Sequence, residues 1–329
     1  MANVVVFDRL GGPEVLRLTE VPLAEPGEGE ARVRIDAIGL NRAEALFRAG
    51  GYYYQPTLPA SRLGSEAAGV VEAVGPGVQG FVPGDPVSVL SVGMGMSEHG
   101  VYADRAIVKA DTLLARPEWM DAPIGAATWL SYLTAYGALL EVGRLQPGDH
   151  VLITAASSSV GTAALQVAGQ IGAVPIAVTR SAAKTEHLLR AGAGHVIATD
   201  GDDLAERVRE ITHGKGARIV FDSVGGPELT TLAQNVAEDG ALIVYGWLDP
   251  RPAPLPMNWP LNVHGYGVHL VTRDADRMHR ARAFITAGLR TGALAPVIDR
   301  TFDLNDIAEA HRYMEANGQT GKIVVTVQH

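Results

Sequence analysis

The residue types best suited to chemistry crowd into one short stretch, Ala156-Ser157-Ser158-Ser159-Val160-Gly161. An apolar run, Val151–Ile153, precedes it, a helical pattern from about Val160 to Ile171 follows, and Val174–Val178 is a second apolar run. Strand, tight turn, helix and strand in that order make the βαβ unit that holds a dinucleotide. A pyrophosphate reaches the positive end of a helix only where side chains are small and backbone N–H groups are free. The six residues fill the spacing G-x-G-x-x-G, yet only Gly161 keeps a glycine, and three serine hydroxyls stand ready to bond phosphate directly. The alternative is a serine-capped helix that binds nothing. The surrounding strands favour the nucleotide.

Which nucleotide depends on the end of the second strand. NAD sites usually carry an acidic residue there, accepting from the ribose 2′-hydroxyl. No carboxylate lies between Ala156 and Arg180; Thr179, Arg180 and Ser181 close the strand, with Lys184 one helical turn on. A guanidinium, an ammonium and two hydroxyls suit a 2′-phosphate, so NADPH is the expected cofactor. The alternative is that Arg180 and Lys184 are solvated residues opening a helix.

Those residues need a scaffold, and composition limits what it is. At 329 residues and 47% hydrophobic content the chain can build two cores. Its 38 glycines and 19 prolines suit a turn-rich β part joined to an α/β part. A net charge of −9 argues against nucleic acid or an acidic membrane as partner. The absence of cysteine excludes disulfides, thiolate chemistry and Cys-ligated zinc. With no apolar run of spanning length and no signal-peptide pattern at MANVVVFDRL, a cytoplasmic protein is expected. Ten histidines are scattered without ligand spacing, which places most of them on the surface or in loops.

Residues 1–124 are short β-rich runs punctuated by Gly12-Pro13, Pro26-Gly27, Gly75-Pro76-Gly77 and Pro83-Gly84, a pattern for an irregular β-barrel. From Ala126 helices and strands alternate. AATWLSYLTAYGALLEVG reads as a helix, and strands are expected at His195–Thr199, Arg218–Asp222, Ala241–Tyr245 and about Val263–Leu270. The fold class is therefore α/β, a β-barrel domain plus a doubly wound parallel sheet over residues 125–270. The proline-rich segment 248–260 reads as a long loop, and residues 271–329, ending in β-like APVIDRTFDL and GKIVVTV, are expected to complete the first domain.

Seven motifs carry a resemblance over essentially the whole chain: GGPEVLRL (11–18), AIGLNRAEALFRAGGY (37–52), LGSEAAGVVEAVGPGV (63–78), LTAYGALLEVGRLQPGDHVLITAASSSVG (133–161), IVFDSVGG (219–226), LIVYG (242–246) and GKIVVTV (321–327). Their order and spacing resemble the medium-chain dehydrogenase/reductase superfamily, and within it the zinc-independent quinone oxidoreductases. The resemblance implies a GroES-like catalytic domain, a Rossmann domain, an active cleft between them and a homodimer joined through the last Rossmann strand. Where alcohol dehydrogenases of the superfamily hold zinc, this chain has Asn41, Ser65 and about Leu130, with Glu66 beside them. An amide, a hydroxyl and an alkyl chain make no Zn²⁺ site, so no metal is expected.

By the same resemblance Asn41, Tyr52 and Thr134 face the nicotinamide and the substrate, while Val224, Tyr245, Gly246 and Lys322 line the cofactor. The residues themselves leave alternatives open. Asn41 reads equally as an Asx-turn residue, Tyr52 with Tyr53 and Tyr54 as an aromatic surface loop, Thr134 as mid-helix packing, and Lys322 as a lone surface lysine. Leu46 stands where the group commonly has a further tyrosine. Without a Lewis acid to hold an alkoxide, a hydride acceptor must spread its own charge. A reductase of quinones or conjugated carbonyl compounds is the first expectation. Reduction of the C=C bond of an enal or enone is the second, and a cofactor-binding protein with little turnover is the third.

Overall fold

In the computed structural model, residues 1–93, 95–258 and 260–329 are described; Trp259, within the expected proline-rich loop, lies outside them. The chain divides into two compact units, residues 1–130 with 298–329, and residues 131–297.

The first unit opens with an antiparallel pair, β1 (Ala2–Val6) and β2 (Arg17–Val21). There follow β3 (Glu30–Gly39), α1 (Arg42–Ala49), β4 (Glu66–Val74), β5 (Pro86–Leu90), α2 (Met96–His99), β6 (Arg105–Lys109), β7 (Leu113–Ala115) and the start of α3 (Ala122–Tyr136). Burial along most of β3 alternates residue by residue, the two-residue period that puts one face of a strand against a core. The core gathers Val33, Ile35, Phe47, Leu63, Val89 and Tyr102, all fully buried.

The second unit begins inside α3, which passes into a π-helical turn over Gly137–Val142. It continues with β8 (His150–Ile153), α4 (Ser159–Gln170), β9 (Val174–Thr179), α5 (Thr185–Arg190), β10 (His195–Ala198), α6 (Leu204–Ile211), β11 (Ala217–Asp222), α7 (Leu229–Ala233), β12 (Val236–Val244), β13 (Asn262–Gly265), α8 (His269–Thr272) and α9 (Ala275–Thr291). The six strands form one parallel sheet in the order β10-β9-β8-β11-β12-β13, with the order reversing beside β8. Residues 151–153 and 219–222 are buried without alternation, as strands covered on both faces must be. β13 is the exception: it is an outer strand and all four of its residues are exposed.

The chain then returns to the first unit through β14 (Ile298–Asp303), α10 (Ile307–Glu315) and β15 (Lys322–Thr326). β15 pairs antiparallel with Ala37–Gly39 of β3, while β6 pairs with residues 30–34 of the same strand. The sheet is an open path, β14-β15-β3-β4-β5-β7, with β6 set off it on β3. The barrel expected for this domain is not shown, because the pairings leave β14 and β7 as free ends of that path.

Two further expectations need correction. The last Rossmann strand stops at Gly265 rather than running to Leu270. Tyr266, between two glycines, is buried and donates its hydroxyl to the Leu133 carbonyl at 3.3 Å, and helix α8 follows. The unit breaks also fall later than 124 and 270. Ala126 and Ala127 of α3 pack on Ala37, Ala68 and Val324, whereas Gly288 of α9 lies close against Gln170 and Leu294. Among the described residues no helix is long and apolar enough to cross a membrane.

Candidate active site

In the second unit the serine-rich turn sits between β8 and α4. Ser158 is the N-cap of α4, its Oγ accepting from the Gly161 amide at 3.0 Å. The Ser157 Oγ accepts from Lys184 Nζ at 3.1 Å, which ties the turn to the segment after β9. Two of the three serine hydroxyls expected to meet phosphate are therefore engaged within the protein. The helix starts at Ser159, one residue before Val160, and Ala156 is fully buried beneath it. A Cβ at Gly161 would lie 2.6 Å from both the Ala155 and Ala156 carbonyl oxygens, so only glycine allows α4 this close to the turn.

At the end of β9, Thr179 is buried and its hydroxyl accepts from the Ser181 amide at 3.4 Å. Ser181 Oγ in turn accepts from the Ala183 amide. Arg180 is exposed, and no hydrogen bond or ion pair engages it among the described residues. Asp200, which sequence reasoning missed, accepts from the Ala182 amide at 3.2 Å. Its signal lay in another strand's end, out of reach of a local reading.

Asp222 closes β11 and organises the next turn. It accepts from Thr154 Oγ1 at 2.5 Å, from the Val224 amide at 3.2 Å and from the Gly225 amide at 2.7 Å, while burial pushes its carboxyl up. Tyr245 stacks on Phe221 with ring centroids 4.1 Å apart. Burial raises its phenol, opposed by the neighbouring hydroxyls of Ser223 and Ser158. The Ser223 and Tyr245 hydroxyls are buried beside one another, and neither completes a hydrogen bond of good geometry among the described residues. Gly246 passes close behind, where a Cβ would meet the Ser223 carbonyl at 2.8 Å. Unsatisfied buried hydroxyls are rare, and these two flank the capped start of α4, where a polar ligand would satisfy them.

In the first unit Asn41 is the N-cap of α1 and only 8% exposed. Lys322 Nζ, from the start of β15, donates to Asn41 Oδ1 and to Glu66 Oε2, each at 2.7 Å. Far from being a lone surface residue, Lys322 is 1% exposed. Gly39 makes room for it: a Cβ there would lie 2.8 Å from Lys322 Cε and 2.0 Å from the Ala126 carbonyl. The other Glu66 oxygen accepts from the Leu130 amide at 2.8 Å. Removing one partner of so buried an ion pair costs about 3–5 kcal/mol.

Beside it lies Glu44, fully buried, which accepts from the Asn41 amide and from the Tyr102 hydroxyl at 2.7 Å each, and from the Ser65 amide at 2.8 Å. Tyr102 meets His311 Nε2 at 3.2 Å, and His311 Nδ1 meets Arg48 at 2.7 Å. Arg48 also donates to Glu315 at 2.8 Å and to the Gly11 carbonyl at 3.0 Å. His311, unlike most of the histidines, is wholly buried; burial and the Arg48 and Arg42 guanidinium groups hold its imidazole down at about 3. Sequence reasoning missed Glu44, Tyr102 and Arg48 too. Glu44 had a local signal, three residues after an N-cap asparagine.

After α1, the rings of Tyr52, Tyr53 and Tyr54 cluster with centroids 4.3 to 5.2 Å apart. Tyr53 is exposed, whereas Tyr52 and Tyr54 pack on the core, and burial raises both of their phenols. The structure thus joins Asn41 to Lys322 and sets Tyr52 one helix away, while Thr134 lies buried on α3 in the other unit.

Residues 27–118 match the Alcohol dehydrogenase GroES-like domain family, and residues 191–325 match the Zinc-binding dehydrogenase family. A 2-haloacrylate reductase of Burkholderia sp is 31% identical over the full length of both chains. The chain belongs to the medium-chain dehydrogenase/reductase superfamily and is quinone oxidoreductase-like within it. Among other members, the quinone oxidoreductase of Homo sapiens is 30% identical over 99% of this chain and 97% of its own. The crystal structure of Escherichia coli quinone oxidoreductase complexed with NADPH superposes with a TM-score of 0.91 at 28% identity, covering 99% of this chain and all of the other.

Proposed function

We propose that this member of the superfamily is an NADPH-dependent, metal-free reductase of quinones or similarly conjugated carbonyl compounds. One observation carries the reading: β9 ends without a carboxylate and leaves Arg180 exposed and uncommitted, with Lys184 held against the serine-rich turn. Arg180, Lys184, Thr179 and Ser181 are the groups to hold a 2′-phosphate, and the NADPH-bound E. coli relative supports this choice. The capped start of α4 with the Ser223 and Tyr245 hydroxyls fits the pyrophosphate. NADPH, when bound, supplies the hydride.

Asn41, Tyr52 and Thr134 are the residues assigned to the reacting end, with Val224, Gly246 and Lys322 beside the cofactor. Asn41, one of the positions aligned with zinc ligands, and Glu66, beside another, both spend an oxygen on the Lys322 ammonium, so an organic cation is held there. That donor set supports a reaction in which the acceptor delocalises its own developing charge. The rings of Tyr52 and Tyr53, 4.3 Å apart and tilted by 46°, offer an aromatic surface for such an acceptor.

A second reading, reduction of a conjugated C=C bond, is favoured by the full-length likeness to 2-haloacrylate reductase and by Leu46 in place of a tyrosine. Oxidation of NADPH by the purified protein, measured against quinones, enones and 2-haloacrylates, separates the two. Turnover with the first class alone supports the proposal, and turnover confined to the others replaces it. Retained NADPH affinity without any turnover would mean a binding protein, and stoichiometric zinc would overturn the metal-free claim. Replacing Arg180 and Lys184 together by Ala should raise KM for NADPH by roughly 10- to 100-fold and leave KM for NADH nearly unchanged, from the loss of charge-assisted bonds. An unaltered cofactor preference would refute the phosphate assignment.

A further inference from the structure

A run of buried side chains in the first unit ends at both extremities on groups that can only donate. Arg48 has no acceptor and no removable proton, so the nitrogen it faces, His311 Nδ1, is the acceptor and the His311 proton sits on Nε2. That proton points to the Tyr102 oxygen, and the Tyr102 O–H is left to donate to Glu44. From the other end the Lys322 ammonium dictates which way the Asn41 amide faces, with Oδ1 toward Nζ. Asn41 Nδ2 then spends its two protons on the Gly39 carbonyl at 3.1 Å and on Glu44 at 3.4 Å. From both ends the links of the run, Arg48 to His311 to Tyr102 and Lys322 to Asn41, donate in the direction of Glu44, which fixes the His311 tautomer and the Asn41 amide orientation.

We infer that Glu44, Tyr102 and His311 are positioning residues whose hydrogen-bond run fixes the orientation of the Asn41 amide. The inference rests on the assignment of Asn41 to the nicotinamide end of the site. It also narrows what Asn41 does. With both amide protons spent inside the protein, Asn41 has none to give a substrate oxygen and acts through its Oδ1 as an acceptor, for a ribose hydroxyl or a carboxamide N–H. Nor is the run a proton path from the half-buried Glu315, because its link through Arg48 cannot release a proton.

Tyr102 and His311 belong to a loop and a helix distant in sequence from Asn41, and both are wholly buried, so neither touches ligand itself. A residue that acts through another shows coupling in a double-mutant cycle, whereas one with a merely structural role adds independently. The test is the affinity for NADPH, followed by nicotinamide fluorescence, together with kcat/KM for NADPH, in Tyr102→Phe, Asn41→Ala and the double variant. Tyr102→Phe should weaken NADPH binding roughly tenfold in the native background and less than about twofold where Asn41 is already Ala. His311→Leu, which cannot donate to Tyr102, should likewise weaken NADPH binding in the native background and less where Asn41 is already Ala. His311→Gln, which keeps a donor toward Tyr102 and an acceptor toward Arg48, should restore it to within about threefold; the His311 cycle serves as the readout should the phenylalanine variant fail to fold. Equal losses from Tyr102→Phe in both backgrounds would overturn the inference and leave the site assignment standing. Native affinity and native kcat/KM in Asn41→Ala would overturn both.

Discussion

Within the serine-rich turn, neighbouring residues have separate tasks. Ser158 satisfies a backbone donor of α4, Ser157 anchors Lys184, and Gly161 lets the helix approach the turn. Because the obstructing atoms at Gly161 are backbone oxygens, no rotamer change relieves a side chain there. Gly161→Val should cost about 1–3 kcal/mol in stability from overpacking and abolish NADPH binding. Calorimetric titration would check this, and binding at native strength would mean that α4 does not hold the cofactor. The places of Gly161, Arg180 and Lys184 in the fold were legible from sequence because they belong to one βαβ unit of some thirty residues. The Asn41 environment was not. Its members stand at 41, 44, 66, 102, 311 and 322, and nothing local distinguishes His311 from the other nine histidines.

Helix α1 is held at both of its ends. Glu44 and Asn41 secure the first turn, and Arg48 ties the last turn to His311 and Glu315 of α10 and to the Gly11 carbonyl. The tyrosine cluster that follows thus starts from a fixed point. The arrangement also makes α10 sensitive to acid. His311 is neutral in the folded chain with a pKa near 3, against about 6.5 when unfolded, and faces Arg48, Arg42, Tyr102 and Glu315. Below pH 6.5 the unfolded chain takes up a proton that the folded chain refuses. Stability contributed by neutral His311 is therefore complete above 6.5 and lost as pH falls toward 3, by at most about 1.4 kcal/mol per unit. Urea unfolding of native protein and His311→Gln between pH 7 and pH 4 should show the variant with the flatter dependence; parallel curves would refute it. Strands with alternating or continuous apolar runs were readable, as β3 and β8 show. The end of β13 was not, since Tyr266 turns inward to reach a carbonyl 133 residues away in sequence.

At the scale of the whole molecule, a doubly wound parallel sheet was expected, and the sheet of residues 131–297 takes the 3-2-1-4-5-6 order of that class, with β8 first and β13 last. The barrel expected of the other sheet is not shown, and the way β3 divides one edge between β6 and β15 was not legible in its turn-rich sequence. Outer strands with open backbone groups recruit partners, and at β13 Val263 is 41% exposed, near the exposed Trp247, Leu255 and Met257 in sequence. A homodimer joined along β13 is the expected assembly. Val263→Lys should shift sedimentation from dimer to monomer, and a native profile in that variant would exclude this edge. If the folded subunit survives partly by pairing, its melting point must climb as the solution is concentrated. With such pairing, the bare outer strand would tie how long the protein endures to how much of it is present.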